Sequence, residues 1–148
     1  MDHFLHCLWP MTPAELQKRT FIFSVATYRF VRPLFRDADT RHIAYQALKA
    51  ASSVAANYRA ACLARSGDEW VAKLGVVREE SDESIHWLTF IKEAELAPGR
   101  DSELQPLTEE AQELTRIFAA SYQTSKDNQF RERESRRRRR KPPPPPES

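Results

Sequence analysis

Residues 43–64 read IAYQALKAASSVAANYRAACLA, and this stretch decides the fold class. Nine of its residues are alanine and none is glycine or proline, which favours uninterrupted α-helix. At about 100° per residue, Ile43, Ala47, Ala50, Val54 and Ala61 fall on one face. Gln46, Ser53 and Asn57 stack along the edge of that face. Side chains this small let neighbouring helices approach closely, so this helix is expected to be the most buried of a helical bundle.

The flanking sequence supplies three more helices. Upstream, Thr12 is suited to an N-cap, Pro13 to the first helical position and Glu15 to the positive end of a helix running to Val31. Leu16, Phe23 and Phe30 recur every seven residues, Ile22, Ala26 and Thr27 widen the stripe, and Pro33 closes it. Downstream, Ser66-Gly67-Asp68 breaks the chain before a third helix, about 69–95. Its core row is Trp70, Leu74, Val77, Ser81, Ser84, Leu88 and Ile91; a second row carries Lys73, Val76, Glu80, Glu83, Trp87 and Phe90. After Pro98-Gly99 and Pro106, a fourth helix over 107–122 presents Leu107, Ala111, Leu114, Phe118 and Tyr122. The expected fold is all-α, an antiparallel up-down-up-down four-helix bundle over 13–125. Residues 1–12 are expected to be an unstructured leader or a misplaced start, and 126–148 a disordered basic, proline-rich tail.

Charge divides the chain. From Arg131 onward there are eight basic and three acidic residues, a net of +5, whereas residues 1–130 carry a net of −3. Arg136, Arg137, Arg138, Arg139, Arg140 and Lys141 are consecutive, and Pro142 to Pro146 follow as a candidate polyproline II rod. Closely spaced cations of this kind neutralise adjacent phosphates and release counterions. The competing reading is a solubilising tail without a ligand. Three glycines in 148 residues argue against a phosphate-cradling loop, and no apolar run is long enough to span a membrane. Two distant cysteines, Cys7 and Cys62, suit a reducing compartment, and the cytoplasm is the expected location.

The middle of the chain resembles a known family. Ser53-Val54-Ala55-Ala56-Asn57-Tyr58-Arg59 is similar to the S-V-x-x-N-Y-R signature of the four-helix-bundle proteins encoded in 23S rRNA intervening sequences. Glu69-Trp70-Val71-Ala72-Lys73-Leu74-Gly75 and Glu80-Ser81-Asp82-Glu83 followed by Trp87-Leu88 extend the resemblance, which covers about Pro13 to Tyr122. It implies a non-enzymatic protein that assembles as a homopentamer. The chain is also similar to the accessory variability proteins of diversity-generating retroelements, which implies RNA or DNA and a reverse transcriptase, or another protein, as partners. Lys49-Ala50 stand where an Arg-Ser pair is common, and the arginine block has no counterpart in the shared core.

Candidate residues follow from both lines of reasoning. Arg136 to Lys141 are the main phosphate-binding candidates, with Arg59, Arg65 and Lys73 as a second set on the helices. Gln46, Ser53 and Asn57 form a candidate polar ladder at an oligomer or helix interface, because a buried amide needs partners and so fixes register. Val76, Glu80, Glu83, Trp87 and Phe90 are candidates for the same interface, since one bundle buries a single row of α-helix easily and a second row needs another surface. Glu83-Ser84-Ile85-His86 has the Glu-x-x-His spacing of bundle metal sites, but its only counterpart is Asp39-Thr40-Arg41-His42, with the shorter acid at a helix start. No metal or other cofactor is therefore expected. No serine lies in a strand-to-helix elbow, so hydrolytic catalysis is not expected either. A protein-partner scaffold without direct nucleic-acid contact is the alternative function.

Overall fold

Thr12 and Glu15 start the first helix with a reciprocal cap. Thr12 Oγ1 accepts from the Glu15 N–H at 3.2 Å, and Glu15 Oε2 accepts from the Thr12 N–H at 2.6 Å. These bonds hold the Glu15 carboxyl below the ordinary carboxylate range. Helix α1 then runs Pro13–Val31, with the ends expected from its cap and from Pro33. The computed structural model describes residues 11–140. The expectations for residues 1–10, for Lys141 and for the proline run lie outside these residues.

A short 3-10 turn, Arg32–Arg36, carries the chain into α2 (Ala38–Ala61). Asp37 caps α2 by accepting from the Asp39 N–H. Helix α3 spans Gly67–Glu93, and Ser66 Oγ accepts from the Glu69 N–H at its start. It ends with the Glu95 N–H on the Lys92 carbonyl and the Leu96 N–H on the Ile91 carbonyl, with Glu95 at φ +51°. That 6→1, 5→2 pattern satisfies two terminal carbonyls. Helix α4 spans Asp101–Arg140. The described residues contain four α-helices and no strand.

The core lies where the spacing of apolar residues places it on α3. Trp70, Leu74, Val77, Ser81, Ser84, Leu88 and Ile91 are all buried. Fully burying a Leu or Ile of this row stabilises the fold by about 1.5–3 kcal/mol. On α2 the buried set is Ala44, Ala47, Ala50, Ala51, Val54, Tyr58 and Ala61, so the face is rotated slightly from expectation, with Ile43 only half-buried. Tyr58, at 0% exposure, tilts its ring against Phe118 with centroids 5.2 Å apart. On α1, Thr20 and Thr27 join Leu16, Phe23 and Phe30 inside, while Ile22 is 55% exposed. Helices α2 and α3 pack most extensively, then α3 and α4, and α1 touches α4 far less than it touches α2.

Helix α4 corrects two expectations. It begins six residues before Leu107, with Pro106 inside it. Pro106 lies in the second turn, and the N–H it lacks would have served the carbonyl of Ser102, an exposed residue that water can reach. The expected disorder from residue 126 is not found through Arg140, where the helix continues unbroken. Glu, Gln and Arg are good helix formers, and Glu132–Arg136 and Glu134–Arg138 are (i, i+4) ion pairs in the favourable orientation.

Candidate functional site

The basic segment is an arm of the last helix. Lys126 to Arg140 extend α4 past Ser125, whose Oγ accepts from Trp70 Nε1 at 2.9 Å. At about 1.5 Å per residue, those fifteen residues reach roughly 22 Å. The first part is tied to the start of α3: Asp68 Oδ1 accepts from Gln129 Nε2 and from Arg133 Nη2, the latter at 3.0 Å. The remaining part is free of the bundle. Arg131, Arg133 and Arg136 to Arg140 are all exposed. Among the described residues, Arg137, Arg139 and Arg140 have no carboxylate within 4.0 Å. Phe130, 65% exposed, adds an aromatic ring just before this block. On a helix, successive side chains point around the axis at about 100° per residue, so these guanidinium groups surround the arm and do not line one face.

Arg65 and Lys73 belong to the same end of the molecule and share one carboxylate. Both approach Glu69, Arg65 Nε at 3.5 Å and Lys73 Nζ at 3.9 Å. The Arg65 backbone N–H, then the two charges, hold the Glu69 carboxyl low. Arg59 is exposed on α2 as a single cation. The structure therefore brings Arg65 and Lys73 together around a carboxylate, close to Asp68 and the arm, and leaves Arg59 apart from that cluster of contacts.

A second surface runs along α2 and α3. Val76 is 40% exposed and Phe90 42% exposed, with Trp87 half-buried near Phe90 at a ring separation of 6.0 Å. Trp87 Nε1 donates to Glu83 Oε1 at 3.1 Å. Glu80 is half-buried, and its Oε2 is shielded from solvent without a hydrogen-bond partner among the described residues. Burial, then Glu83 and Glu79, push its carboxyl above the ordinary range, opposed by the Lys49 charge on α2. Gln46, Ser53 and Asn57 are half-buried on α2. Asn57 Nδ2 donates to the Ser53 carbonyl at 2.9 Å, so within one chain the amide bonds to its own helix and does not bridge to a neighbour. The signature residues thus split by face, Val54 and Tyr58 inward, Ser53 and Asn57 at the edge, Arg59 outward.

His86 and His42 both pack on Trp87, with centroids 4.8 and 6.4 Å away. They meet an indole, and among the described residues no three His, Cys, Asp or Glu side chains gather into a metal-binding group.

Comparison with known proteins adds the fold. No protein-family model matches the chain, and no curated protein matches it. A solved structure does: a crystal structure described as a protein with unknown function from the S23 ribosomal protein family, from Bacteroides thetaiotaomicron VPI-5482. The similarity has a TM-score of 0.68 at 18% identity, covering 76% of this chain and 99% of that one. It supports a helical bundle.

Two features of this site escape a reading by periodicity. Asp68 ties to Gln129 and Arg133 across more than sixty residues of sequence, and no local pattern announces such a contact. Phe130 is a lone aromatic in polar surroundings, which gives no helical stripe. Its position beside an arginine block was the available signal.

Proposed function

We propose that this protein is a non-enzymatic, oligomeric four-helix bundle of the 23S rRNA intervening sequence type that associates with nucleic acid through the arm of α4. The observation that carries this reading is the placement of seven arginines between residues 131 and 140 on an exposed continuous helix. An up-down-up-down order is supported by contacts that run in opposite senses. His42 meets Trp87 while Lys49 neighbours Glu80, and Phe30 meets Arg100 while Arg19 meets Glu110. Assembly through the α2–α3 face is supported by the exposed Val76 and Phe90 beside Trp87, and a ring of five is what the family resemblance implies. Several arms on one particle multiply a modest phosphate affinity through avidity. A cytoplasmic setting goes with this reading; no described helix is long and apolar enough to cross a membrane.

The alternative is a protein-partner scaffold using the same α2–α3 face, a reverse transcriptase being one partner the resemblance suggests. Fluorescence anisotropy with structured RNA and duplex DNA, at several salt concentrations, separates the two. The intact protein is compared with a chain ending at Ser125, the oligomer mass of each being measured alongside. Binding that falls steeply with salt and disappears on truncation supports the arm. Equal binding by both moves the site to Arg59, Arg65 and Lys73, and no binding by either leaves the scaffold. Trp87→Ala and Glu83→Lys are expected to lower the oligomer mass; an unchanged mass in both would remove the α2–α3 face from the assembly.

A further inference from the structure

Helix α1 carries two apolar stripes. The inner one, with Leu16, Phe23 and Phe30, is buried in the bundle. The outer one is left in water: Phe21 is 62% exposed, Ile22 55% and Tyr28 44%, with Val25 half-buried between them. A continuous apolar stripe on the outside of a helix marks a contact surface. Its spacing is that of a coiled-coil seam, since Lys18, Phe21, Val25, Tyr28 and Arg32 follow one another at alternating steps of three and four. Glu15, Ile22 and Arg29 flank the seam on one side, a heptad apart. Charges stand at both ends of the stripe without partners. Among the described residues, Lys18, Arg29 and Arg32 have no carboxylate within 4.0 Å, and Glu15 has no cation within that distance.

We propose that this face binds the same face of a second copy, with the two α1 helices antiparallel across a two-fold axis beside Ile22. Charge selects both the occupant and its direction. In the antiparallel arrangement Phe21 lies over the second copy's Val25, and Lys18 over the second copy's Tyr28. Along the flank Ile22 meets its own counterpart, and Glu15 meets the second copy's Arg29, a pair that the axis makes twice. Parallel helices would stack Lys18 on Lys18 and Arg32 on Arg32, and would hold Glu15 about 20 Å from the second copy's Arg29. A two-fold contact needs a surface that complements itself, and an acid and a base placed symmetrically about Ile22 provide one. Burial of Phe21, Ile22, Val25 and Tyr28 from each copy supplies the attraction, while the charges at the rim fix register and direction. The contact stands apart from the α2–α3 face, whose proposed residues include none from α1.

Sedimentation velocity of full-length chains over a range of concentrations tests the contact, with circular dichroism to establish that each variant is folded. Phe21→Lys, at a position mostly in water, is expected to weaken association at least tenfold. Glu15→Arg and Arg29→Glu are each expected to weaken it by about tenfold, because the two-fold axis then sets like charge against like. Mixing those two chains one to one is expected to bring association back to within roughly threefold of the original, since each copy meets the opposite charge at both flanks. Mixing would not repair a loss caused only by damage to the Thr12–Glu15 cap. In a Trp87→Ala chain, which lacks the indole of the α2–α3 face, adding Phe21→Lys is expected to turn dimer into monomer. Unchanged association in Phe21→Lys would overturn the proposal and leave the stripe to a different protein or a lipid surface. A mixture no more associated than its two parts would overturn it equally. Mass lost with Trp87→Ala and kept with Phe21→Lys would uphold the α2–α3 face and remove this contact; the reverse result would uphold this contact alone.

Discussion

Arg19 and Glu110 form a two-bond pair across the weakest seam of the bundle. Arg19 Nε donates to Glu110 Oε1 at 2.7 Å and Nη2 donates to Oε2 at 2.9 Å, with both side chains less than a third exposed. The Glu110 carboxylate is the main reason that the Arg19 guanidinium holds its proton still more firmly than usual. A planar guanidinium matched to a carboxylate is the strong form of this interaction. It bridges α1 and α4, which pack less extensively than the other neighbouring helices do. Arg19→Ala is expected to cost about 1–2 kcal/mol, and a double-mutant cycle with Glu110→Ala to give a coupling near 1 kcal/mol. Urea denaturation of the four proteins measures it. Additive single effects would mean that the pair orients nothing.

Tyr58 carries a hydroxyl that the fold does not use. The residue is 0% exposed, and its oxygen has no hydrogen-bond partner among the described residues. Burial, reinforced by the nearby Cys62, drives the phenol above its ordinary range. An unpartnered hydroxyl is a cost, while the ring against Phe118 is a gain. Tyr58→Phe is therefore expected to be neutral or to stabilise by up to about 1 kcal/mol, and Tyr58→Ala to destabilise by about 3–5 kcal/mol. Thermal unfolding of both variants tests the pair of signs. A clear loss in Tyr58→Phe would show that a buried water holds the hydroxyl.

How much of this was legible in the sequence depends on which force placed each residue. The core row of α3 could be read residue by residue, because burial repeats with the helix period and every member from Trp70 to Ile91 is inside. The cap at Thr12 was legible because a hydroxyl before a helix start has one good use. Arg65 and Lys73 were read as phosphate-binding candidates, and their shared contact with Glu69, four residues from each, was not part of that reading. The arm was not legible. It has no apolar stripe, and what holds it is a set of side-chain ion pairs and the Asp68 contact with Arg133. Ile22 misled for a related reason: it fits the α1 stripe, but the seam with α4 is too open to cover it.

Glu95 ends α3 in a conformation that suits glycine. Its φ of +51° puts its Cβ against the backbone, at a cost of roughly 1 kcal/mol for an L side chain. The helix end itself is well formed, with Leu96 folded back half-buried against the core. Glu95→Gly keeps the hydrogen bonds and removes the strain. It is expected to raise stability by about 0.5–1 kcal/mol, while Glu95→Ala leaves it near the original value. Chemical denaturation measures both. A loss in Glu95→Gly would mean that the freedom glycine gains in the unfolded chain outweighs the relief.

Glu80 sets a pH dependence whose sign follows from its burial. Desolvation, with Glu83 and Glu79, raises its carboxyl above the ordinary range despite Lys49. The folded state thus holds this proton more tightly than the unfolded one. Its contribution to stability is fully present below the ordinary carboxylate range and is lost as pH rises through the raised value. Glu80→Gln, which keeps size and helix preference, is expected to raise the Tm at pH 7 by on the order of 2 °C. The difference should shrink as both proteins are taken toward pH 4. A Glu80→Gln protein that melts lower at pH 7 would place a cation from outside this chain against the carboxylate, as a second copy on the α2–α3 face would.

The arm is where helix and disorder make opposite predictions. If Lys126 to Arg140 are helical, truncation after Ser125 removes the far-UV ellipticity of about fifteen helical residues. If they were disordered, the same truncation would leave the molar helical signal almost unchanged. The arm's ion pairs are exposed: Glu132–Arg136, Glu134–Arg138 and Asp68–Arg133. Such pairs weaken with salt. The difference spectrum between intact and truncated protein should therefore lose helical intensity as salt is raised, while the bundle signal stays. Asp68→Asn, which removes the charge that anchors Arg133, is expected to produce part of that loss at low salt. Phosphate groups lie on the other side of the balance: by neutralising Arg137, Arg139 and Arg140 they reduce the repulsion within the block. Adding duplex DNA to the intact protein should then restore helical intensity, and a helix that responds neither to salt nor to DNA would separate the arm's shape from its charge.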